Sequence, residues 1–412
     1  MKRLAHLLVL GSCILLLPTL GRAQEVQGWD YAVLPAVSYN SDLGFHYGLF
    51  GNLYYYGRDS LCTYPQYRHM LGFEASRYTK GQTLLYLQYN GKELFPRTDV
   101  TVTARWQKDP AMQFWGYNGA YLFTDNYTDD FFLLDRQYLL INGGAETRLA
   151  GRFKAYLGIA FWNFRMHNPD SSATHDGTLL SVMRNNGYIN DNEADGGSIL
   201  DLKLGVLYDS RNHPTCPSRG HRVEAFLTRS VDLSYRQYNS LKLNAQILQF
   251  YPLGDIAVFA NRTALQLLLL GEQPYYTLTT INTMQTINRS TEGLGGISTL
   301  RGMPLNALAA DGFAWANTEV RIKIFKFNLL KRSFEVILNP FFDAGMPLRL
   351  YRDEASNGIQ ASRPQNSPYL SAGMGGKLVV NQNFVLTAEV GTLLNSSSRR
   401  FWGMNFSTGY TF

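Results

Sequence analysis

The chain ends FWGMNFSTGYTF, residues 401–412, and this stretch has a period of two. Trp402, Met404, Phe406, Thr408, Tyr410 and Phe412 alternate with Gly403, Asn405, Ser407, Gly409 and Thr411. One face is largely apolar and aromatic and the other small and polar, which is the pattern of a strand lying between two unlike media. Residues 313–324 repeat the period with charge: Asn317, Glu319, Arg321 and Lys323 share one parity, Thr318, Val320, Ile322 and Ile324 the other. Such a polar face lines a barrel lumen or faces water in a soluble sandwich. One strand fits both; the tally of strands decides.

The same period predicts strands near 29–38, 43–57, 66–80, 81–94, 97–108, 135–149, 152–166 and 199–211. It continues through 219–231, 235–250, 254–270, 313–327, 333–345, 366–380, 381–397 and 400–412. That is sixteen, an even number, and most exceed the ~9–11 residues a tilted strand needs to cross a bilayer. Connections after even-numbered strands are mostly short, such as Phe95-Pro96, Ala150-Gly151 and Tyr251-Pro252-Leu253. Several after odd-numbered strands are long: 109–134, 167–198, 271–312 and 346–365. Phe114-Trp115-Gly116-Tyr117 is read as loop, because the parity then holds. Loops sorted by parity mark an all-β, 16-stranded antiparallel transmembrane β-barrel of the bacterial outer membrane, with short periplasmic turns and longer external loops. The 26 Tyr, 24 Phe, 6 Trp and 37 Gly suit strands, turns and interfacial aromatics.

The rest of the chain excludes other classes. Lys2 and Arg3, an apolar core over 7–20 and Gly21-Arg22-Ala23 before Gln24 read as a secretory signal peptide, 1–23, leaving 24–412 as the barrel. Beyond it, the longest unbroken apolar run, 256–260, is far below the ~20 residues of a membrane helix. The net charge of +6 is spread along the chain and gives no nucleic-acid signature. There is no G-x-S-x-G and no nucleophile–base grouping, so no enzyme is expected. Asp191-Asn192-Glu193-Ala194-Asp195-Gly196 looks like a calcium loop, but Leu202 stands where an EF-hand needs Glu, and a solvated loop is expected. His167 and His175 around Asp170 make no full ligand set, so neither metal nor cofactor is expected. Whether Cys62 and Cys216 pair is left open.

Six motifs then fall in order across 199–412. They are Tyr208-Asp209-Ser210-Arg211-Asn212 with Pro217-Ser218-Arg219-Gly220; Leu300-Arg301-Gly302-Met303; Asn317-Thr318-Glu319-Val320-Arg321; Phe341-Phe342-Asp343-Ala344-Gly345; Gly373-Met374-Gly375; and the terminal Tyr410-Thr411-Phe412. Together these resemble the BamA-type superfamily of outer-membrane assembly and secretion barrels, which includes TamA and FhaC. Two positions depart from the family pattern: Ala316 stands for a glycine and Met303 for an aromatic residue.

The resemblance implies a loop between strands eleven and twelve that folds into the lumen, where Arg301 pairs with Asp343 and Gly302 lets the tip approach the wall. Glu319, Arg321 and Glu335 would be lumenal neighbours, Glu335 by its parity with Asn339 and Asp343. It also implies that Asp209, Arg211, Pro217 and Gly220 form a periplasmic turn, and that Phe406, Tyr410 and Phe412 form a C-terminal signal read by the outer-membrane insertion machinery. The implied function is insertion or translocation of polypeptide through a weak seam between the first and last strands. The implied partners are the bilayer, that machinery, a polypeptide client and a separate periplasmic protein, because the first strand follows the predicted cleavage site too closely for a POTRA domain. A passive pore for small solutes and a surface attachment protein are the rival readings.

Overall fold

Alternating faces become a single sheet rolled shut. The computed structural model describes residues 28–57, 67–122, 127–169, 177–214, 216–284, 293–329, 332–352, 367–380, 384–395 and 401–408. The signal peptide, Cys62, Asp170, His175, Tyr410 and Phe412 lie outside these residues. The described strands are β1 (Trp29–Asn40), β2 (Gly44–Tyr55), β3 (His69–Tyr78), β4 (Thr83–Phe95), β5 (Thr98–Gln113), β6 (Leu133–Arg148), β7 (Phe153–His167) and β8 (Gly196–Asp209). They continue as β9 (Gly220–Asp232), β10 (Asn239–Leu253), β11 (Ala257–Gly271), β12 (Gly312–Leu329), β13 (Arg332–Arg349), β14 (Tyr369–Val380), β15 (Phe384–Leu393) and β16 (Trp402–Thr408). Each pairs antiparallel with the next, and β16 returns to β1, so the barrel is closed.

Side chains sort by parity as the pleat demands. On β8, Ile199, Asp201 and Lys203 point into the lumen and are buried, whereas Leu202, Leu204 and Val206 point outward and are exposed. The outer surface carries dozens of such groups, Trp29, Tyr31, Leu49, Leu85, Leu157 and Trp402 among them. A water-facing wall would not present continuous rows of leucine and aromatic side chains; a lipid-facing one must. No described helix is long and apolar enough to cross a membrane.

Three differences from the sequence reading have local causes. The strand expected to stop at 108 runs on to Gln113, because a bulge between Asp109 and Met112 absorbs Pro110 without ending the pairing to β6. The β7–β8 connection contains two short helices, Leu179–Asn185 and Asp191–Ala194. The acidic run expected to be solvated forms the second of these, and its Glu193 carboxylate is buried, accepting from the Tyr275 N–H (3.1 Å) and from Arg352 Nη1 (2.6 Å).

The long connections fold over the external end as a cap with its own apolar core. Phe114, Trp115, Tyr117 and Phe132 pack there with Leu179, Met183, Tyr275 and Tyr276, and with Leu294, Leu308 and Tyr351. Asn118 joins two loops by backbone mimicry, its side chain donating to the Tyr351 carbonyl and accepting from the Tyr351 N–H.

If the outer wall faces lipid, Leu204→Arg should cost about 2–4 kcal/mol of stability in a bilayer when the site lies near the midplane. Urea unfolding in lipid vesicles measures this, and an unchanged midpoint would contradict the assignment.

Candidate functional site: the inward loop and the seam

A guanidinium at the tip of a long loop must find compensating charge if it leaves water. The β11–β12 connection turns inward, and its segment 293–311 runs along the inner wall. Thr299 Oγ1 accepts from the Gly295 N–H and donates toward the Gly293 and Gly295 carbonyls, which tightens the turn preceding the tip. Asn317 on β12 donates to the Thr299 carbonyl at 2.7 Å, and Arg262 on β11 binds both Asn317 and the Ser298 carbonyl. Arg301 is thereby delivered to the wall and is only 3% exposed.

Its surroundings come from three strands. On β13, Asp343 accepts three bonds: from the Arg301 backbone N–H (3.0 Å), from Nε (2.9 Å) and from Nη2 (2.8 Å). Nη1 reaches Glu319 on β12 (3.1 Å) and Glu389 on β15 (3.2 Å). The guanidinium carbon lies 3.6 Å from the centre of the Phe341 ring, a stacked cation–π geometry. Arg321 binds Glu319 at 2.7 Å, Lys377 on β14 binds Glu389 at 2.9 Å, and Asn339 bridges Glu319 and Glu389. Three cations thus face three carboxylates. Burial alone would depress the Arg301 pKa; the carboxylates, Asp343 foremost, outweigh it and raise it above its ordinary value.

Glycines make the approach close. Gly302 has φ +88°, and a Cβ there would lie 2.6 Å from the Thr392 amide nitrogen and 2.7 Å from the Gly391 carbonyl carbon. Both its conformation and its space therefore exclude a side chain. A Cβ on Gly373 would collide with the Phe341 ring, and one on Gly375 would lie 2.6 Å from Glu389 Cγ. The G-x-G pair on β14 is the floor on which the ring and the carboxylate rest.

The loop also reaches the seam. Among the described residues, β1 pairs with β2 from Trp29↔Tyr55 to Asn40↔Gly44, but with β16 only at Tyr39↔Phe406 and Asn40↔Asn405. The Ser41 N–H to Met404 carbonyl bond extends this pairing slightly. Pro35, within β1, has no N–H to give to a neighbouring strand. Gly302 lies against Gly403 of β16, and the Leu305 N–H donates to Asp42 in the β1–β2 turn at 3.0 Å. Within five residues the loop binds both sides of the seam.

The other residues singled out in the sequence fall elsewhere. Glu335 lies on the lumenal parity opposite Val379, but at the periplasmic end of β13, half-buried and outside the Arg301 cluster. Asp209 takes a fork from Arg211, Asn212 accepts from the Ser218 and Arg219 N–H groups, Pro217 is buried and Gly220 has φ +101°. This is a stitched β8–β9 turn at the short-connection end, and its Cys216 packs on Ile337, Val379 and Val385 of the facing wall. Phe406 lies on β16 at the seam. Sequence reading missed Glu389, Lys377 and Asp42. The parity of β15 places Glu389 among inward Thr387 and Gly391, which was the available signal; nothing local marks Asp42.

A family model described as the Omp85 superfamily domain matches residues 148–412. Among solved structures, BamA from Haemophilus ducreyi lacking POTRA domains 1-3 is similar, with 15% identity, a TM-score of 0.57, and coverage of 93% of this chain and 71% of that one. CdiB from Escherichia coli (10% identity, TM-score 0.54) and CdiB from Acinetobacter baumannii (12%, 0.51) also match over 93% of this chain, which spans 63% and 65% of those proteins. No curated protein sequence matches the chain.

Truncating Arg301→Ala should cost on the order of 3–5 kcal/mol, because three buried carboxylates lose their shared cation. Gly302→Ala should cost about 1–3 kcal/mol from its left-handed backbone alone, while Glu335→Gln should stay within about 0.5 kcal/mol. Denaturant midpoints of the folded barrel in detergent would rank the three.

Proposed function

Because the chain belongs to the Omp85 superfamily, we propose that it works in the bacterial outer membrane as a barrel through which polypeptide is inserted or translocated, with the Arg301 loop as a latch on the seam. The observation that carries this reading is the reach of residues 301–305, bound to β12, β13 and β15 at one end and to the β1–β2 turn at the other. Among the described residues β1 and β16 share a short pairing while the other neighbours share longer ladders, and this is where the wall would part at least cost. A parted seam exposes unpaired backbone N–H and C=O groups, and an extended client segment satisfies these by strand addition. Asn40 and Asn405, opposite one another on the lumenal face, would be among the first groups a client meets. The 24–412 segment supplies the wall and the latch; a client and a separate periplasmic partner would supply substrate and its recruitment. No chemical reaction is part of this reading.

A freely conducting pore fits less well. The lumen holds the inward loop, the external end is covered by the packed cap, and the β8–β9 turn leans across the other end.

An Asn40→Cys/Asn405→Cys pair tests the proposal, since directly opposed residues in an antiparallel ladder fall within disulfide reach. Oxidised cells should lose particular polypeptides from the outer membrane or the medium, reductant should restore them, and each single variant should behave as the parent. An unchanged surface and secreted proteome in locked cells would remove the translocation role.

A further inference from the structure

The lipid-facing wall has a second chemical feature away from the seam. Tyr47, Arg77, Thr83, Lys108, Gln137, Arg165 and Gly196 are successive cross-strand partners from β2 to β8, so they form one outward row. The row follows the external rim: Arg77 is next to the end of β3 and Arg165 is two residues from the end of β7. Its three cations stand on alternate strands, roughly 10 Å apart by strand spacing. Lys108 is 3.5 Å from Asp135, with its side chain 44% exposed, and Arg77 and Arg165 are exposed outright.

The next outward row is different in kind. Leu49, Ala75, Leu85, Trp106 and Leu139 succeed one another below the cations, and Leu87, Ala104, Ile141 and Phe161 follow below those. A line of cations above a broad apolar wall complements an amphiphile whose head is anionic and whose tails are long. Cations on the lipid face are costly at the bilayer midplane and tolerated near the interfaces, where charged headgroups lie. At the external rim Asp135 answers part of the charge of Lys108, and the headgroup of an outer-leaflet lipid is the counter-charge from outside the chain.

We propose that the β3–β8 flank is a binding site for a phosphorylated outer-leaflet glycolipid, its phosphates held by Arg77, Lys108 and Arg165 and its acyl chains lying on Leu85, Trp106, Leu139 and Ile141. The site is independent of the latch and the seam. Gln137 and Thr83, standing between the cations, offer hydrogen-bonding groups to sugar hydroxyls.

Purified barrel titrated with bis-phosphorylated lipid A and followed by native mass spectrometry tests this. Each cation contributes ~1 kcal/mol near a charged surface, or about fivefold in affinity. Arg77→Gln, Lys108→Gln and Arg165→Gln combined should therefore weaken retention on the order of a hundredfold. Arg229→Gln, an outward cation off the row, should leave it within about twofold. Heat-modifiable migration on gels confirms that each variant is folded, since all four positions lie on the outer wall. Dephosphorylated lipid A and phosphatidylglycerol should be displaced readily from the parent. Equal retention of either lipid, equal retention by the triple variant, or an equal loss from Arg229→Gln would overturn the proposal.

Discussion

A guanidinium that leaves water cannot shed its charge, and the lumen of this barrel is organised around that fact. Arg301 arrives on a loop, so its partners have to be waiting on the wall. Glu319, Asp343 and Glu389 are, on three different strands, with Arg321 and Lys377 balancing the carboxylates. A lysine would reach one of these groups as a point charge; the planar fork of arginine engages all three and stacks on Phe341 as well. Because each member compensates another, the loop has one docked position. Shifting it by a residue would leave several charges unpaired in a buried site.

That constraint propagates into the backbone. The loop tip presses so closely that the wall beneath it has to be glycine. Gly302, Gly373, Gly375 and Gly391 lie where a Cβ would strike the Phe341 ring, Glu389 or neighbouring main chain. Glycine weakens a strand interior, so the wall is softened on β14 and β15 directly under the loop tip, close to the short pairing of β1 with β16 among the described residues. The tight charge cluster and the loose wall are the same construction seen from two sides.

Period and parity made the barrel legible from sequence. Strand parity put Glu319 with Arg321 on one face and Asn339 with Asp343 on another, the barrel reading turned those faces inward, and the chain between Gly271 and Gly312 is too long and too glycine-rich to be a turn. What stayed hidden was set by non-local packing. Glu193 reads as part of a solvated acidic loop because its partners, Arg352 and Tyr275, are far away in the chain. Glu335 has the right parity but the wrong height, since parity fixes which face a residue is on and not how far along the strand it lies. Asp42 sits in a short turn with no motif; only the course of the loop gives it meaning.

If the Arg301 loop works as the proposed latch, its two attachments are unequal, and that inequality would order an opening of the seam. Arg301 is bound to Glu389 on the β15 side and Leu305 to Asp42 on the β1 side. The chain between them is four residues long, about 14 Å when fully extended. Separating β1 from β16 by more than the slack in that tether requires one attachment to break. The Leu305–Asp42 contact is a single hydrogen bond to a charged acceptor, ~1.5–3 kcal/mol, against the ~3–5 kcal/mol of an uncompensated buried charge cluster. The Asp42 end is the one that yields first. A modest parting then leaves Arg301 seated and the lumen still occupied, and only a wider one asks the loop to leave the wall.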